Sequence, residues 1–480
     1  MKTVYKNISR TDRSLRTYQQ HAKEDIFSAW DECDNVMFQM PTGTGKTRLF
    51  TSIISDIKTW GIQNSIDIKI LIIAHRIELI EQISESLEHY KVSHGIIAGG
   101  KPRDLRHQVQ VASVQTITHR NNLDTAKKLN ANFIIIDEAH HSVANSYKKL
   151  WEMFPNTKKL GVTATPWRMN HLGFSQVFDK LIVSASIKHF IDHGWLSPYI
   201  YYSIKDSNHI ISDINNIDEF DSEGDYKISA LERVMDQHSI RANLLQSYLT
   251  LAKGKRGIIY SVSRKHSDHI CEEFRQKGIN IVRIDSETPR DERRLYVQRF
   301  KRGLIDIIVN VDIFSEGFDC PDIEFIQLAR PTKSLVKYLQ QVGRGLRPTA
   351  NKCKCIILDN VGAHIEFNLP DADRVWETEF IGDSNNRKRR KVSASSVISS
   401  SVERNFDEGS GELCLIEDIE RNISPVLDNS PERYLWHEKD DELLKTLYVD
   451  RQCPIDVLTV VFKCDEACIT EHLKELNLFK

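Results

Sequence analysis

The strongest chemical signal in this chain is Met40-Pro-Thr-Gly-Thr-Gly-Lys-Thr47, directly after the apolar run Val36–Gln39. A loop of small residues between a strand and a helix turns backbone N–H groups inward at the helix's positive end, which is a cradle for phosphate. Pro41, Thr42, Gly43, Thr44 and Gly45 supply that loop. Lys46 can then reach β- and γ-phosphates, and Thr47 can hold Mg²⁺. Met40 stands where the general phosphate-loop pattern has its first glycine. Downstream, Phe133-Ile-Ile-Ile-Asp137-Glu138-Ala139-His140 is an apolar strand ending in two acids. Asp137 suits the magnesium's outer shell, and Glu138 suits the base that aligns an attacking water. By itself this pair reads as a solvated turn; beside a phosphate loop it completes one reaction. A third group is Gln340-Gln-Val-Gly343-Arg344-Gly-Leu-Arg347. Two guanidiniums three residues apart on one helical face can point together at a phosphate and stabilise its developing charge.

These side chains need elements that bring them together. Strands are expected at Val36–Gln39, Ile70–Ala74, Val109–Val114, Phe133–Ile136 and Lys159–Val162. Between them lie helical stretches such as Ile77–Leu87, apolar at Ile77, Ile80, Ile83 and Leu87. Strands bounded by helices predict a parallel sheet covered on both faces. This first unit occupies 1–198. Residues 199–240, including SDINNIDEFDSEGDY, read as an acidic connector. The alternation resumes over 241–383, with strands at Gly257–Tyr260, Ile279–Ile284, Ile305–Asn310, Glu324–Ala329 and Cys355–Leu358. Residues 384–429 read as a linker, with five basic residues at Arg387–Lys391 and then a Ser-rich tract. The tail, 430–480, predicts helices at Asp440–Val449, Ile455–Val461 and Asp465–Leu476, the layout of a small helix-turn-helix module. Its last helix is acidic, so protein contact and DNA reading remain equal expectations for it.

With 480 residues the chain has room for about two to four domains. Its 65 Lys+Arg against 67 Asp+Glu exclude a protein that holds nucleic acid by bulk charge, though not one with local basic grooves. No run approaches the roughly 20 apolar residues that span a bilayer, so no membrane partner is expected. Nine cysteines without a framework fit a reduced, cytoplasmic chain. Cys464, Cys468 and His472 share one helical spacing and with Cys453 form a possible four-ligand set, but a packed helix face is the simpler reading.

At this point residues 13–380 resemble the superfamily 2 helicases and translocases. MPTGTGKT and DEAH are the superfamily's variant nucleotide motifs, which accounts for Met40. Leu15-Arg16-Thr-Tyr-Gln19 resembles the adenine-reading segment, implying nucleotide contacts from Arg16 and Gln19. Gly161-Val-Thr163-Ala-Thr165-Pro-Trp-Arg168 resembles the coupling motif, implying that role for Thr163 and Thr165, with His140 and Gln340. Ala74-His75-Arg76 and Ser113-Val-Gln115-Thr116 resemble strand-contacting motifs. Ile259-Tyr-Ser261 with Arg264, and Leu328-Ala-Arg-Pro-Thr332, resemble their counterparts in the second unit. Ser315-Glu-Gly317-Phe-Asp319-Cys-Pro321 adds Gly317 and Asp319 to the nucleotide set. The resemblance therefore implies an α/β protein with two tandem RecA-like parallel-sheet domains, an ATP cleft between them and a small all-α module at the end. ATP and Mg²⁺ are the implied cofactors and nucleic acid the implied partner. Ser186-Ile-Lys-His-Phe-Ile-Asp-His-Gly194-Trp-Leu-Ser-Pro198 resembles type III restriction motor subunits and RadD-like repair helicases, favouring DNA. An RNA helicase, a motor that needs a separate nuclease or defence partner, and a non-moving ATPase clamp remain open readings.

Overall fold

The computed structural model describes residues 12, 14–101, 104–122, 128–205, 208–311, 323–349, 352–382, 413–417, 444–445, 448, 466–476 and 478. The chain divides into two units, Met1–Ile419 and Glu420–Lys480. The first contains two seven-stranded sheets. In the second, the described helix Glu466–Glu475 buries Ile469, His472 and Leu473, a spacing that lines up one face. Of the other two expected helices only Leu444, Lys445 and Tyr448 are described, and the basic run, Cys453 and Cys464 lie outside the described residues. So do Gly317 and Asp319. Among the described residues no cluster could hold a metal ion, and no helix is long and apolar enough to cross a membrane.

The first sheet is built from β1 (Asn35–Gln39), β2 (Ile70–Ala74), β3 (His94–Ile97), β4 (Val109–Ser113), β5 (Phe133–Asp137), β6 (Lys158–Thr163) and β7 (Lys180–Val183). Their order is β3-β4-β2-β5-β6-β1-β7, and each pairing is parallel. β2 and β5 are buried along their whole length, as continuous Ile-rich runs require when helices cover both faces. β1 lies between β6 and β7, and β5 adjoins β6. The carboxyl ends of β1, β5 and β6 therefore stand together, and the phosphate loop, the paired acids and the Thr163–Thr165 segment leave from them.

The second sheet comprises β8 (Tyr199–Ser203), β9 (Gly257–Tyr260), β10 (Ile281–Ile284), β11 (Ile307–Asn310), β12 (Phe325–Leu328), β13 (Cys355–Asp359) and β14 (Cys414–Glu417), ordered β10-β11-β9-β12-β13-β8-β14. Only β14 runs antiparallel, along the edge at β8. The expected strands stand within a residue or two of their places. β8 differs from expectation, because the stretch read as a connector opens on a sheet strand. Its Tyr201 hydroxyl donates to the buried Asp359 carboxylate at 2.9 Å, and Ser203 Oγ donates to the same oxygen at 2.9 Å. These bonds fasten Tyr-Ile-Tyr-Tyr-Ser beside β13.

After β13 the chain returns to the first sheet. The short helix Trp376–Ile381 lays Phe380 into the cluster of Phe174, Phe178 and Ile136, and the Phe174 N–H donates to the Phe380 carbonyl at 2.7 Å. Arg374 organises the approach by donating to the carbonyls of Phe367, Leu369, Pro370 and Ala372. The two α/β units are thus tied by covalent crossings at both ends of the second. Phe380→Ala empties that socket and is expected to cost about 3 kcal/mol, read as a lowered unfolding midpoint of the first α/β unit.

Candidate nucleotide cleft and strand groove

The loop after β1 turns because Gly43 and Gly45 both take φ +89°, a region closed to most side chains. A Cβ at Gly45 would stand 2.5 Å from Gln19 Nε2, so the close approach of that amide also requires glycine there. Gln19 Nε2 donates to the carbonyls of Thr44 (3.1 Å) and Gly45 (3.2 Å), while its Oε1 accepts the Arg16 N–H at 3.0 Å. Tyr18 adds a hydroxyl bond to the Thr44 carbonyl at 2.7 Å. The segment expected to read adenine therefore braces the phosphate loop in this structure. Thr44 Oγ1 closes the loop on the Pro41 carbonyl at 2.7 Å, and Lys46 and Thr47 open the helix Lys46–Gln63.

Lys46 Nζ donates to the carbonyls of Met40 (3.2 Å) and Pro41 (3.4 Å), the rim of its own loop. Burial lowers its pKa; Glu138 and Asp137 pull it back up, and Arg344 and Arg347 push it down again. That balance places all five expected groups in one electrostatic neighbourhood. The contact is steric as well as electrostatic. A Cβ on Gly343 would meet Thr42 Cβ at 2.8 Å, and one on Gly43 would meet Arg347 Cγ at 3.2 Å. The helix Leu335–Gly345, buried almost throughout, thus presses its glycine edge onto the phosphate loop, with Gln340 and Arg344 both buried.

Glu138 adopts φ 50°, ψ 53°, left-handed for a residue with a side chain, which costs roughly 1–2 kcal/mol. Its N–H donates to Asp137 Oδ1 at 3.0 Å, and its carboxylate lies 3.4 Å from His140 Nδ1. His140 Nδ1 is also 3.1 Å from Thr163 Oγ1, which accepts the Thr165 N–H at 3.2 Å. Three of the four expected coupling residues, His140, Thr163 and Thr165, therefore form one row beside Glu138, while Gln340 stands apart on a helix of the second unit. Among the described residues, the buried atoms Thr165 Oγ1 and Gln340 Nε2 make no hydrogen bond. Three cations, a glycine cradle and buried polar atoms awaiting partners suit a bound triphosphate with its magnesium.

A second cavity, about 730 Å³, is lined by Arg76 and Glu78 from the first α/β unit and by Ser263, Arg264, Asp285 and Arg293 from the second. Gln115 Nε2 donates to the His75 carbonyl at 3.0 Å, which ties the short helix carrying Gln115 and Thr116 to the residue before Arg76. Arg264 pairs with Glu287, and Arg293 bridges the cavity to Glu78 at 2.9 Å. Thr332 is placed differently from the other expected strand contacts: its hydroxyl donates to Asp225 Oδ2 at 2.9 Å.

Asp225 is the residue that sequence reasoning missed, because it sits inside the stretch read as a solvated connector. It is 1% exposed, accepts from the Lys333 N–H and Lys337 Nζ at 2.8 Å each, and so pins the start of the helix carrying Arg344. Burial opposes its charge, but Lys337 and the Lys333 N–H prevail and its pKa falls below the ordinary value. Only the alternation of acids was visible beforehand, with nothing to single out this one.

Residues 12–168 match the family described as Type III restriction enzyme, res subunit, and residues 240–349 match the Helicase conserved C-terminal domain. A "51.5 kDa protein" of a Lactococcus phage (isolate 7-9) is 34% identical over 356 residues, covering 74% of this chain and 72% of that protein. The Saccharomyces cerevisiae protein named as an ATP-dependent helicase, IRC3, is 32% identical over 73% of this chain, which spans only 52% of that protein. An HsdR-subunit fragment assigned to a type I restriction enzyme from Vibrio vulnificus shares the fold, with TM-score 0.58, 22% identity and coverage of 75% of this chain and 67% of that one. The chain belongs to the superfamily 2 helicases related to restriction motor subunits.

Asp225→Ala leaves the half-buried Lys337 unpaired and is expected to cost about 3 kcal/mol, part of which Lys337→Met recovers in the double variant. The folded carboxyl is the more acidic, so its contribution is complete above the unfolded value of about 3.9 and is lost as pH falls through the folded one. Unfolding midpoints of the three chains across that pH range measure both effects.

Proposed function

We propose that this chain is an ATP-driven motor that moves along DNA, with hydrolysis in the cleft between its two α/β units. The observation that carries the reading is the convergence of Arg344 and Arg347, from the second unit, on the loop that holds Lys46 in the first. Lys46 and the loop N–H groups are suited to grip the β- and γ-phosphates, and Glu138 to align and deprotonate the attacking water. Arg344 and Arg347 are suited to meet the charge that develops during transfer, a contribution of about 10³–10⁵ in rate for such arginines. Thr47 and Asp137 are the groups to hold Mg²⁺, whose chemistry is to neutralise charge between the phosphates.

These contacts hold only while the units are closed, so nucleotide turnover biases an open–closed equilibrium. Arg76 and Arg264 line the 730 Å³ cavity from its two sides, with Gln115 bonded to the carbonyl of the residue before Arg76 and Thr116 next to it in sequence, and alternating closure would shift their grip on a phosphate backbone without reading sequence. The restriction-subunit family favours DNA and a role in restriction or defence. The same family description, naming a subunit, favours a second reading in which a partner protein completes the activity. Gly317 and Asp319 join the nucleotide set in this proposal, and the C-terminal module is the candidate for a partner or for further DNA contact.

Steady-state ATP hydrolysis with no polymer, single-stranded DNA, forked duplex DNA and RNA tests the reading. Stimulation by DNA is expected; stimulation by RNA alone would move the protein to RNA remodelling, and stimulation by none favours the partner-dependent motor. Lys46→Ala should lose hydrolysis by at least about 100-fold, whereas Glu138→Gln should still bind ATP and stall. Normal turnover by Glu138→Gln would overturn the assignment of the base.

A further inference from the structure

A continuous row of histidine rings leads from the nucleotide cleft to the strand groove. His140, bonded to Thr163 and beside Glu138, has its ring centroid 4.2 Å from that of His141, the two planes inclined by 44°. His141 in turn lies 4.2 Å from His75, inclined by 54°. His75 belongs to the Ala74-His75-Arg76 segment at the end of β2: its carbonyl accepts from Gln115, and Arg76 next to it lines the groove. Ring centroids at these separations are in van der Waals contact, so His141 bridges His140 and His75.

The row starts on an element with a reason to move. Glu138 holds a left-handed backbone conformation, and the single turn Ala139–His141 hangs from it. Backbone strain of this kind persists only while its surroundings impose it. A change at Glu138, the group suited to touch the reacting water, alters the support of His140 directly and of His141 one residue on. His141 itself is exposed, so burying its ring is not what the position provides to the fold. What the position provides is a spacer between His140 and His75.

We infer that His141 is a positioning residue that transmits the state of the nucleotide cleft to the strand-contacting segment around Arg76. The inference rests on the motor reading above and adds to it a route within the first α/β unit, separate from the closure of the two units. The ring's bulk is the working property: a phenyl group preserves the contact, and a methyl group breaks it on both sides.

The test uses the full chain and measures ATP hydrolysis with and without saturating single-stranded DNA, together with DNA affinity in the absence of nucleotide. For His141→Ala the unstimulated rate should stay within about twofold of the natural chain. The DNA-stimulated rate should fall about tenfold, and nucleotide-free DNA affinity should be unchanged. His141→Phe should restore most of the stimulation. Equal loss of both rates in His141→Ala would show a merely structural role, and full stimulation would show no role; either overturns the inference. Failure of His141→Phe to rescue would overturn the contact mechanism. A natural chain that DNA does not stimulate would remove the motor reading and the inference with it, a result distinct from stimulation that survives His141→Ala.

Discussion

Three positive side chains face one another across the cleft: Lys46 from the phosphate loop and Arg344 and Arg347 from the opposite unit. Burial works against the charge on Lys46, and Glu138 and Asp137 favour it more strongly than Arg344 and Arg347 oppose it; three cations against two carboxylates still leave one net positive charge. The arrangement is at its most favourable with a polyanion among them. In the proposed motor this would give the nucleotide a differential affinity for the closed state, which is the only way a ligand can shift such an equilibrium.

The approach depends on missing side chains. Gly343 lies where any Cβ would strike Thr42, and Gly43 lies against Arg347. The helix can therefore lie directly on the loop; it carries Arg344, whereas Arg347, expected on the same helical face, lies two residues beyond the helix end and reaches the loop from there. The helix is aimed by groups that never face the cleft. Asp225 fixes its first turn through Lys333 and Lys337, and Tyr338 donates to the Asn368 carbonyl at 3.1 Å farther along. A buried carboxylate with several donors is rigid because any unpaired donor or acceptor there would be costly. Rigid aim suits a group whose usefulness depends on sub-ångström placement.

Most of the sheet framework was legible in the sequence because buried parallel strands must be continuous apolar runs. β2, β5, β9, β11 and β13 are all such runs, and the structure places them where they were expected. β3 and β7 escaped notice: β3 is only alternately buried and β7 is half exposed, so neither carries that signal. β8 was hidden by the acidic residues that follow it, and β14 exists through pairing with β8, a tertiary contact that no local pattern announces. The site divides in the same way. Lys46, Asp137, Glu138, Arg344 and Arg347 are set by motif, and the structure brings them together. Thr332 was expected at the strand, but its hydroxyl is bonded to Asp225, and that carboxylate looks in sequence like any of its neighbours.

The connections between the two units explain how one cleft can govern another. The chain crosses between them at β8 and again at Trp376–Ile381, so the second unit is tied to the first at two places. On the groove side Arg293 holds Glu78 across the cavity, and Arg290 lies 3.7 Å from Glu81 beside it. Such pairs, between partly exposed groups, each contribute little, about 0–1 kcal/mol, and are readily exchanged for phosphate oxygens. The nucleotide cleft is closed by contacts that tolerate no added atom, whereas the groove is closed by pairs that an incoming backbone can replace. In the proposed motor the nucleotide would set closure and the strand would register it, because the contacts that admit no added atom lie at the nucleotide cleft and the exchangeable ion pairs lie at the groove.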